Sequence, residues 1–393
     1  MQNINFTQIS RRFHTDLLAD KSRKAYNTKG YHIILEAVIM KIGMLTSGGD
    51  CQALNAAMRG VAKALYHAKG NEIEIYGFLE GYKGLIYGNY KRMERSDFSG
   101  ILTEGGTILK TSRMPFKYIE EPTPEGLNKV ESMKKTYREM GLDCLVVLGG
   151  NGSHKTAHRL SEEGLNVITL PKTIDNDLAE TDESFGFWSA VNIATTTIDT
   201  IHSTAASHSR VFVIEIMGHK TGYIALYSGI AGGADIILIP EIDYDVDKVL
   251  ETIRAREKQG KSFTIIAIAE GAVSKKEREM EKKELKKLMS EKSAADRLKE
   301  ELVKAGTTEI RVVIPGHMQR GGSPGAYDRV LASRVGAYGA NLILNKEYGC
   351  MVALQNGELK KVPLKDVVGK TKKVPRDSEI IRDAKALSIS FGD

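Results

Sequence analysis

Seven short apolar runs, KIGMLTSG, DCLVVLGG, NVITLP, RVFVIEIMG, ADIILIPE, SFTIIAIAE and IRVVIPG, each stop at a glycine, a proline or a polar cluster. Amphipathic segments of helical length separate several of them. A strand that is apolar on both faces must be buried on both, so the pattern predicts an α/β protein whose mostly parallel sheets are covered by helices. In such sheets ligands gather beyond the carboxyl ends of the strands, and the polar loops of this chain stand at those ends. With 393 residues, 41% of them hydrophobic and 27% charged, there is enough chain for two domains with separate cores.

Cys51, Cys144 and Cys350 are far apart and form no CxxC pair, which argues against a disulfide framework or a zinc site and fits a reducing cytoplasm. No apolar run reaches the roughly 20 residues that cross a bilayer, and no secretory pattern opens the chain, so no membrane partner is expected. The formal charge is +6. Residues 1–39 hold six Lys/Arg and three acids, half of that excess, so nucleic acid is not an expected partner either.

Residues 1–39 show no strand or helix pattern, and the first convincing strand starts after Met40. The segment reads as a disordered extension or an upstream-start artefact, with an organelle-targeting segment as the alternative. Residues 274–306 are rich in Lys and Glu. Leu285, Leu288, Met289, Leu298, Leu302 and Val303 recur among them at helical spacing, which predicts one or two solvated amphipathic helices, with a partner-binding helix as the alternative.

Three glycine-rich turns stand out: TSGGDC at 46–51, GGT at 105–107 with Thr111, Ser112 and Arg113 behind it, and GGNGSHKT at 149–156. Turns without Cβ atoms let backbone N–H groups approach a polyanion, and a following helix adds its positive end. Phosphate is the natural guest. The third turn is not a Walker loop, because His154 stands where that motif needs glycine, and Lys155 likewise breaks a dinucleotide GxGxxG. Arg113, Arg210, Arg311 and Arg320 lie beside strand ends or small-residue turns, and arginine's planar fork suits phosphoryl oxygens. Glycine loops and arginines together indicate two phosphorylated ligands, or one ligand and a phosphoryl donor. The loop PKTIDND, 171–177, adds carboxylates at the end of an apolar strand. A hydroxyl that attacks a phosphoryl group must lose its proton, and Asp175 is the candidate acceptor.

The strings GGTILKTSR, LVVLGGNGS, PKTIDND, SHSRVFVIEIMG, GIAGGADIILIPE, AIAEG and PGHMQRGGSPGAYDRVLASRVGAYG, in this order from about residue 40 to the end, resemble the 6-phosphofructokinase family. TIDND and the GHMQRGGSP block carry most of that resemblance. It implies two Rossmann-like three-layer domains with the active site in the cleft between them. A larger donor-binding domain would take 40–186 plus about 319–370. A smaller sugar-phosphate domain would take 187–318 plus about 371–393, with 274–306 as an insertion. The implied reaction moves a phosphoryl group from ATP, with Mg²⁺, to the 1-hydroxyl of fructose 6-phosphate.

Carried over by position, the resemblance makes Asp175 the base, puts Thr173 on the sugar and has Asp177 support the loop or the magnesium shell. Met217, Gly218, His219, Glu270, His317 and Arg320 would hold fructose 6-phosphate. Arg210 and Arg311 would reach its phosphate from a neighbouring subunit, which implies a homodimer or homotetramer with shared sites. Gly49, Arg113, Met114, Gly150, Asn151, Gly152 and Ser153 would face the donor, Arg113 as a clamp on the transferring group.

Four departures from the family pattern matter. Gln52-Ala53 replace the usual Pro-Gly of the first loop. Asn151 replaces an aspartate that handles Mg²⁺, and an amide oxygen can still ligate a hard cation without adding charge. His219 replaces an arginine, and Lys220 next to it is expected to take over the charge. Of the nucleotide-effector pocket of bacterial relatives, Arg59, Lys63, Arg95 and Lys261 match, whereas His202, Gln259 and Phe263 do not. Donor choice turns on Gly152, which leaves room for ATP, and Lys172, a pyrophosphate-type partner. Steric exclusion outweighs one flexible cation, so ATP is the expected donor and pyrophosphate the alternative. Two other classes stay open: a sugar-phosphate-binding regulatory subunit without turnover, and a lipid or NAD kinase, which would leave TIDND and GHMQRGGSP without a purpose.

Overall fold

The computed structural model describes residues 25–28, 31–34, 39–208, 210–307 and 309–393. Most of 1–39, and with it the expectation of a disordered extension, lies outside them. Within that segment β1 (Ala25–Thr28) and β2 (Tyr31–Ile34) pair antiparallel, where the sequence predicts no strand.

All seven apolar runs form strands, and they divide between two sheets. The larger sheet has the order β13-β12-β7-β6-β3-β4-β5. Its central strands β3 (Met40–Ser47), β4 (Ile73–Phe78), β6 (Cys144–Gly149), β7 (Val167–Pro171) and β12 (Cys350–Gln355) run parallel. Its edges β5 (Tyr90–Met93) and β13 (Glu358–Pro363) are antiparallel and largely exposed, which suits strands with only one neighbour. The smaller sheet, β11-β8-β10-β9, is wholly parallel: β8 (Val211–Ile216), β9 (Ile236–Leu238), β10 (Thr264–Ala269) and β11 (Ile310–Val313). β6, β7 and β10 are buried at every position, as two-sided helix cover requires.

Helix α1 (Leu54–Lys69) packs along α6 (Ala326–Leu344) so closely that a Cβ on Gly60 would come 2.7 Å from the Ser333 carbonyl. Helix α2 (Asn151–Glu162) starts inside the third glycine motif, so Asn151, Gly152 and Ser153 make its first turn, and α3 (Phe187–His208) follows the PKTIDND loop after a short connection. The charged segment splits into two kinds of helix. In α4 (Lys282–Glu291) nothing is buried, as a solvated helix predicts. In α5 (Ala294–Lys304), Leu298 and Leu302 are fully buried against β8, β10 and β11. So α5 is a covering layer of the smaller sheet, and only α4 matches the solvated expectation.

Candidate active site

Six strands deliver their carboxyl ends to one cleft of about 690 Å³ between the sheets. β3 is followed by Ser47, Gly48 and Gly49; β6 by Gly150, Asn151, Gly152 and Ser153; β7 by Lys172, Thr173, Asp175 and Asp177. From the smaller sheet, β8 supplies Met217 and His219, β10 supplies Glu270, and β11 leads to His317 and Arg320. Arg113, Met114 and Pro115 close the rim. Nearly every residue named from the sequence for donor, sugar or chemistry therefore meets in one place. Ser47 and Gly48 come from the TSGGDC turn read as a phosphate cradle, although neither was named by itself, and only Pro115 was not foreseen.

The acceptor side is held from several directions. Thr173 Oγ1 accepts from the Asp175 N–H at 3.1 Å, and Thr221 Oγ1 donates to the Asp175 carbonyl at 2.9 Å. One oxygen of the Asp175 carboxyl, Oδ1, is buried with no partner. Burial first, and the neighbouring Asp177 charge second, push its pKa up to about 7 against the pull of Arg320. Such a group holds or releases a proton near neutrality. Asn151 Nδ2 donates to Asp177 Oδ2 at 2.8 Å, joining the third glycine loop to PKTIDND. Asn176, at φ 50°, accepts from the Ser184 N–H at 3.0 Å and closes the loop behind the site.

Lys172 is only 3% exposed, and its Nζ donates to the Gly49 carbonyl. Burial pulls its pKa below the ordinary lysine value. It therefore braces the first glycine loop while lining the cleft. Gly152 is exposed, and a Cβ there would meet nothing within 4 Å. Gly218 has φ 152°, and a Cβ would lie 2.4 Å from the Thr221 carbonyl, so that turn requires glycine. Glu270 Oε1 accepts from the Gly218 N–H at 3.2 Å and the His219 N–H at 2.6 Å. His154 is buried beside Gly150, whose carbonyl lies 2.8 Å from Nδ1, and burial lowers its pKa to about 4.

Two expectations change. Gly105-Gly106-Thr107 follows short 3₁₀ turns rather than a strand and does not line the cleft. A Cβ on Gly105 would come 2.0 Å from the Gly322 carbonyl, so this turn exists for packing. Lys220 does not line the cleft beside His219. Arg210 and Arg311, expected to serve a neighbouring subunit's site, do not line this chain's own cleft, and both are bonded to Glu309 at 3.0 and 3.3 Å. Arg210 precedes the first residue of β8, and six residues at about 3.3 Å each put it about 20 Å from the end that feeds the cleft. A second cavity of about 690 Å³ is lined by Arg59, Lys63 and Arg95 among others. Lys261 does not line it. His202 is bonded to the Gly232 carbonyl at 2.7 Å and meets the Phe263 ring edge-on at 5.7 Å.

Among the described residues no group of three His, Cys, Asp or Glu could cage a metal. The hard oxygens of Asn151 and Asp177 at the cleft fit a cation such as Mg²⁺, which arrives mostly hydrated and bound to phosphate.

The Phosphofructokinase family model matches residues 41–343. An ATP-dependent 6-phosphofructokinase of Spirochaeta thermophila is 52% identical over 357 residues, covering 89% of this chain and 97% of that protein. ATP-dependent 6-phosphofructokinase 3 of Bacteroides thetaiotaomicron is 43% identical over 90% of this chain and 100% of its own length. A solved phosphofructokinase structure from Saccharomyces cerevisiae superposes with TM-score 0.70 at 30% identity, over 89% of this chain and 46% of the yeast chain. In fold alone, the chain is also similar to a solved pyrophosphate-dependent phosphofructokinase of Marinobacter aquaeolei, with TM-score 0.73 and 21% identity over 90% of this chain and 92% of that one.

Proposed function

The chain belongs to the phosphofructokinase family, and on that premise we propose that it transfers the γ-phosphoryl group of ATP to the 1-hydroxyl of fructose 6-phosphate. The products are fructose 1,6-bisphosphate and ADP. The observation that carries this reading is the Asp175 carboxyl, its pKa pushed up to about 7 in a cleft walled by glycine loops on one side and by side chains of both charge signs on the other. Asp175 takes the hydroxyl proton as the sugar oxygen bonds to phosphorus and the bond from phosphorus to ADP breaks. Thr173, Met217, Gly218, His219, Glu270, His317 and Arg320 hold the sugar phosphate. Gly49, Met114, Gly150, Gly152 and Ser153 seat the donor, and Arg113, exposed on the rim, clamps the transferring oxygens. Mg²⁺ would be held by Asn151 and Asp177 and would neutralise phosphoryl charge.

The proposed division puts 40–186 and about 319–370 in a donor-binding domain, and 187–318 and about 371–393 in a sugar-phosphate domain. No helix among the described residues is long and apolar enough to cross a membrane. The enzyme is proposed to act in the cytoplasm. Arg210 and Arg311, at the amino-terminal ends of β8 and β11 and not lining their own cleft, are proposed to serve the site of a second copy in a homodimer or homotetramer. Mixing inactive Asp175→Ser and Arg210→Ala subunits then restores part of the activity in hybrids, and no recovery after confirmed subunit exchange refutes shared sites.

The deciding assay supplies purified protein and fructose 6-phosphate with either ATP or pyrophosphate. Fructose 1,6-bisphosphate and ADP are the expected products. Turnover with pyrophosphate alone would overturn the donor assignment, and sugar-phosphate binding without turnover would favour the regulatory-subunit reading.

A further inference from the structure

The first glycine loop and the Arg320 loop, some 270 residues apart in sequence, are joined by a buried side chain. Gln52 is fully buried. Its Nε2 donates to the Gln319 carbonyl at 2.9 Å and to the Gly321 carbonyl at 3.0 Å, the two that flank Arg320. Gln319 is fully buried too, and its Oε1 accepts from the Met217 N–H at 3.2 Å. Its own Nε2 donates to the Gly316 carbonyl at 3.3 Å. The Arg320 guanidinium lies on the same loop as Gln52, donating through Nη1 to the Asp50 carbonyl at 3.0 Å.

Gln52 stands where the family resemblance leads one to expect proline, which has no side-chain donor. Both Nε2 protons are used, so the amide cannot turn away without giving up both bonds, one of them to the carbonyl of the buried Gln319. Its Oε1 is buried without a partner, a cost that packing alone does not justify. A leucine would fill the same space without that cost. The arrangement is a chain of contacts from the donor loop, through the backbone around Arg320, to the first residue of the Met217–Gly218 turn.

We propose that Gln52 and Gln319 form an amide relay that positions Arg320 and the Met217–Gly218 turn to receive the sugar phosphate. Both glutamines are positioning residues, and neither is assigned to touch the reacting atoms. The inference rests on the functional reading above.

The test compares the wild-type enzyme with Gln52→Leu, Gln319→Met and the double variant, by steady-state kinetics with each substrate varied in turn. Gln52→Leu is expected to raise the KM for fructose 6-phosphate about tenfold, with the KM for ATP held within about twofold and kcat within about threefold. The double variant should be no worse than the worse single one, because both cut the same relay. A merely structural role would lower the active fraction and leave both KM values alone. That result, or additive effects in the double variant, overturns the proposal. If Gln52→Leu does not fold, Gln319→Met carries the same expectation, since it cuts the side-chain ties to Met217 and Gly316 and leaves the Gln52 bonds in place. If the wild-type protein does not turn over fructose 6-phosphate with ATP, the functional reading has failed instead. The relay is then read from amide hydrogen exchange: faster exchange over 316–321 and 217–218 in Gln52→Leu supports it, and unchanged exchange overturns it.

Discussion

The two rims of the cleft are made of different material. The donor rim is backbone: Gly48, Gly49 and Gly150 turn at strand ends, Gly152 sits in the first turn of α2, and beside Gly152 there is open space. The acceptor rim is side chain: Asp175, Asp177, Glu270, His317 and Arg320 crowd together, with Asp175 itself perturbed by burial first and by its charged neighbours second. A rim made by leaving side chains out is sensitive to additions. A rim made of opposed charges is sensitive to deletions. Substitutions on the two sides should therefore fail in opposite ways, and this contrast can be broken experimentally.

The largest expected effect is a deletion on the acceptor rim. Asp175→Ser should lower kcat at least about 10²-fold, the loss typical of removing a general base, while fructose 6-phosphate still binds. Turnover and equilibrium binding measured on the same preparation separate the two. Near-normal turnover would show that the acceptor rim does not depend on its carboxylate, and the contrast would collapse.

The next is an addition on the donor rim. Gly152→Asp meets no protein atom within 4 Å of its new Cβ, so the fold should be indifferent and the melting temperature unchanged. Its carboxylate would nevertheless face an approaching nucleotide. Like-charge repulsion and lost volume should cut kcat/KM for ATP by roughly 10²-fold, whereas pyrophosphate, with no nucleoside and no α-phosphate, should be spared. Lys172 already lines the same cleft, braced on the first glycine loop. An unchanged ATP preference would show that Gly152 does not face the donor.

The contrast between the rims also explains what could be read from the sequence. Strand identity was legible wherever burial on both faces produces an unbroken apolar run, as in β6 or β10. β4 escaped because its burial alternates and because Gly77 looks like a breaker, although it is a packing glycine with Leu109 and Met93 against it. The β12–β13 hairpin did carry a local signal. Asn356 and Gly357 both have positive φ, the mark of a tight hairpin turn, and the dipeptide Asn-Gly predicts one. The site residues were legible through motif and strand-end position. Gln52 and Gln319 were not, because a hydrogen bond across 267 residues leaves no trace in spacing. The GGT turn misled for the complementary reason: glycine needed for close backbone packing looks the same in sequence as glycine needed for phosphate.

The smallest effect is thermodynamic, and it tests whether the acceptor rim gives up stability for its chemistry. The folded protein holds the Asp175 pKa at about 7, above the roughly 3.9 of an unfolded aspartate. The sign follows from linkage. Because the fold prefers the protonated form, the ionised carboxylate destabilises it increasingly as pH rises from about 4 and fully once pH passes about 7. Asp175→Asn removes that penalty. The variant should be more stable than wild type at pH 8, by on the order of 1–2 kcal/mol once the carboxyl's partial exposure is discounted, and the gain should shrink as pH falls. Denaturant midpoints at pH 8 and pH 5 measure this directly. A comparable substitution on the donor rim, Gly152→Ala, adds a methyl group to open space, leaves every charge in place and should show no such pH dependence. If Asp175→Asn gains nothing at pH 8, burial does not penalise the ionised carboxylate, and its tuning toward neutrality must come from the bound substrates instead.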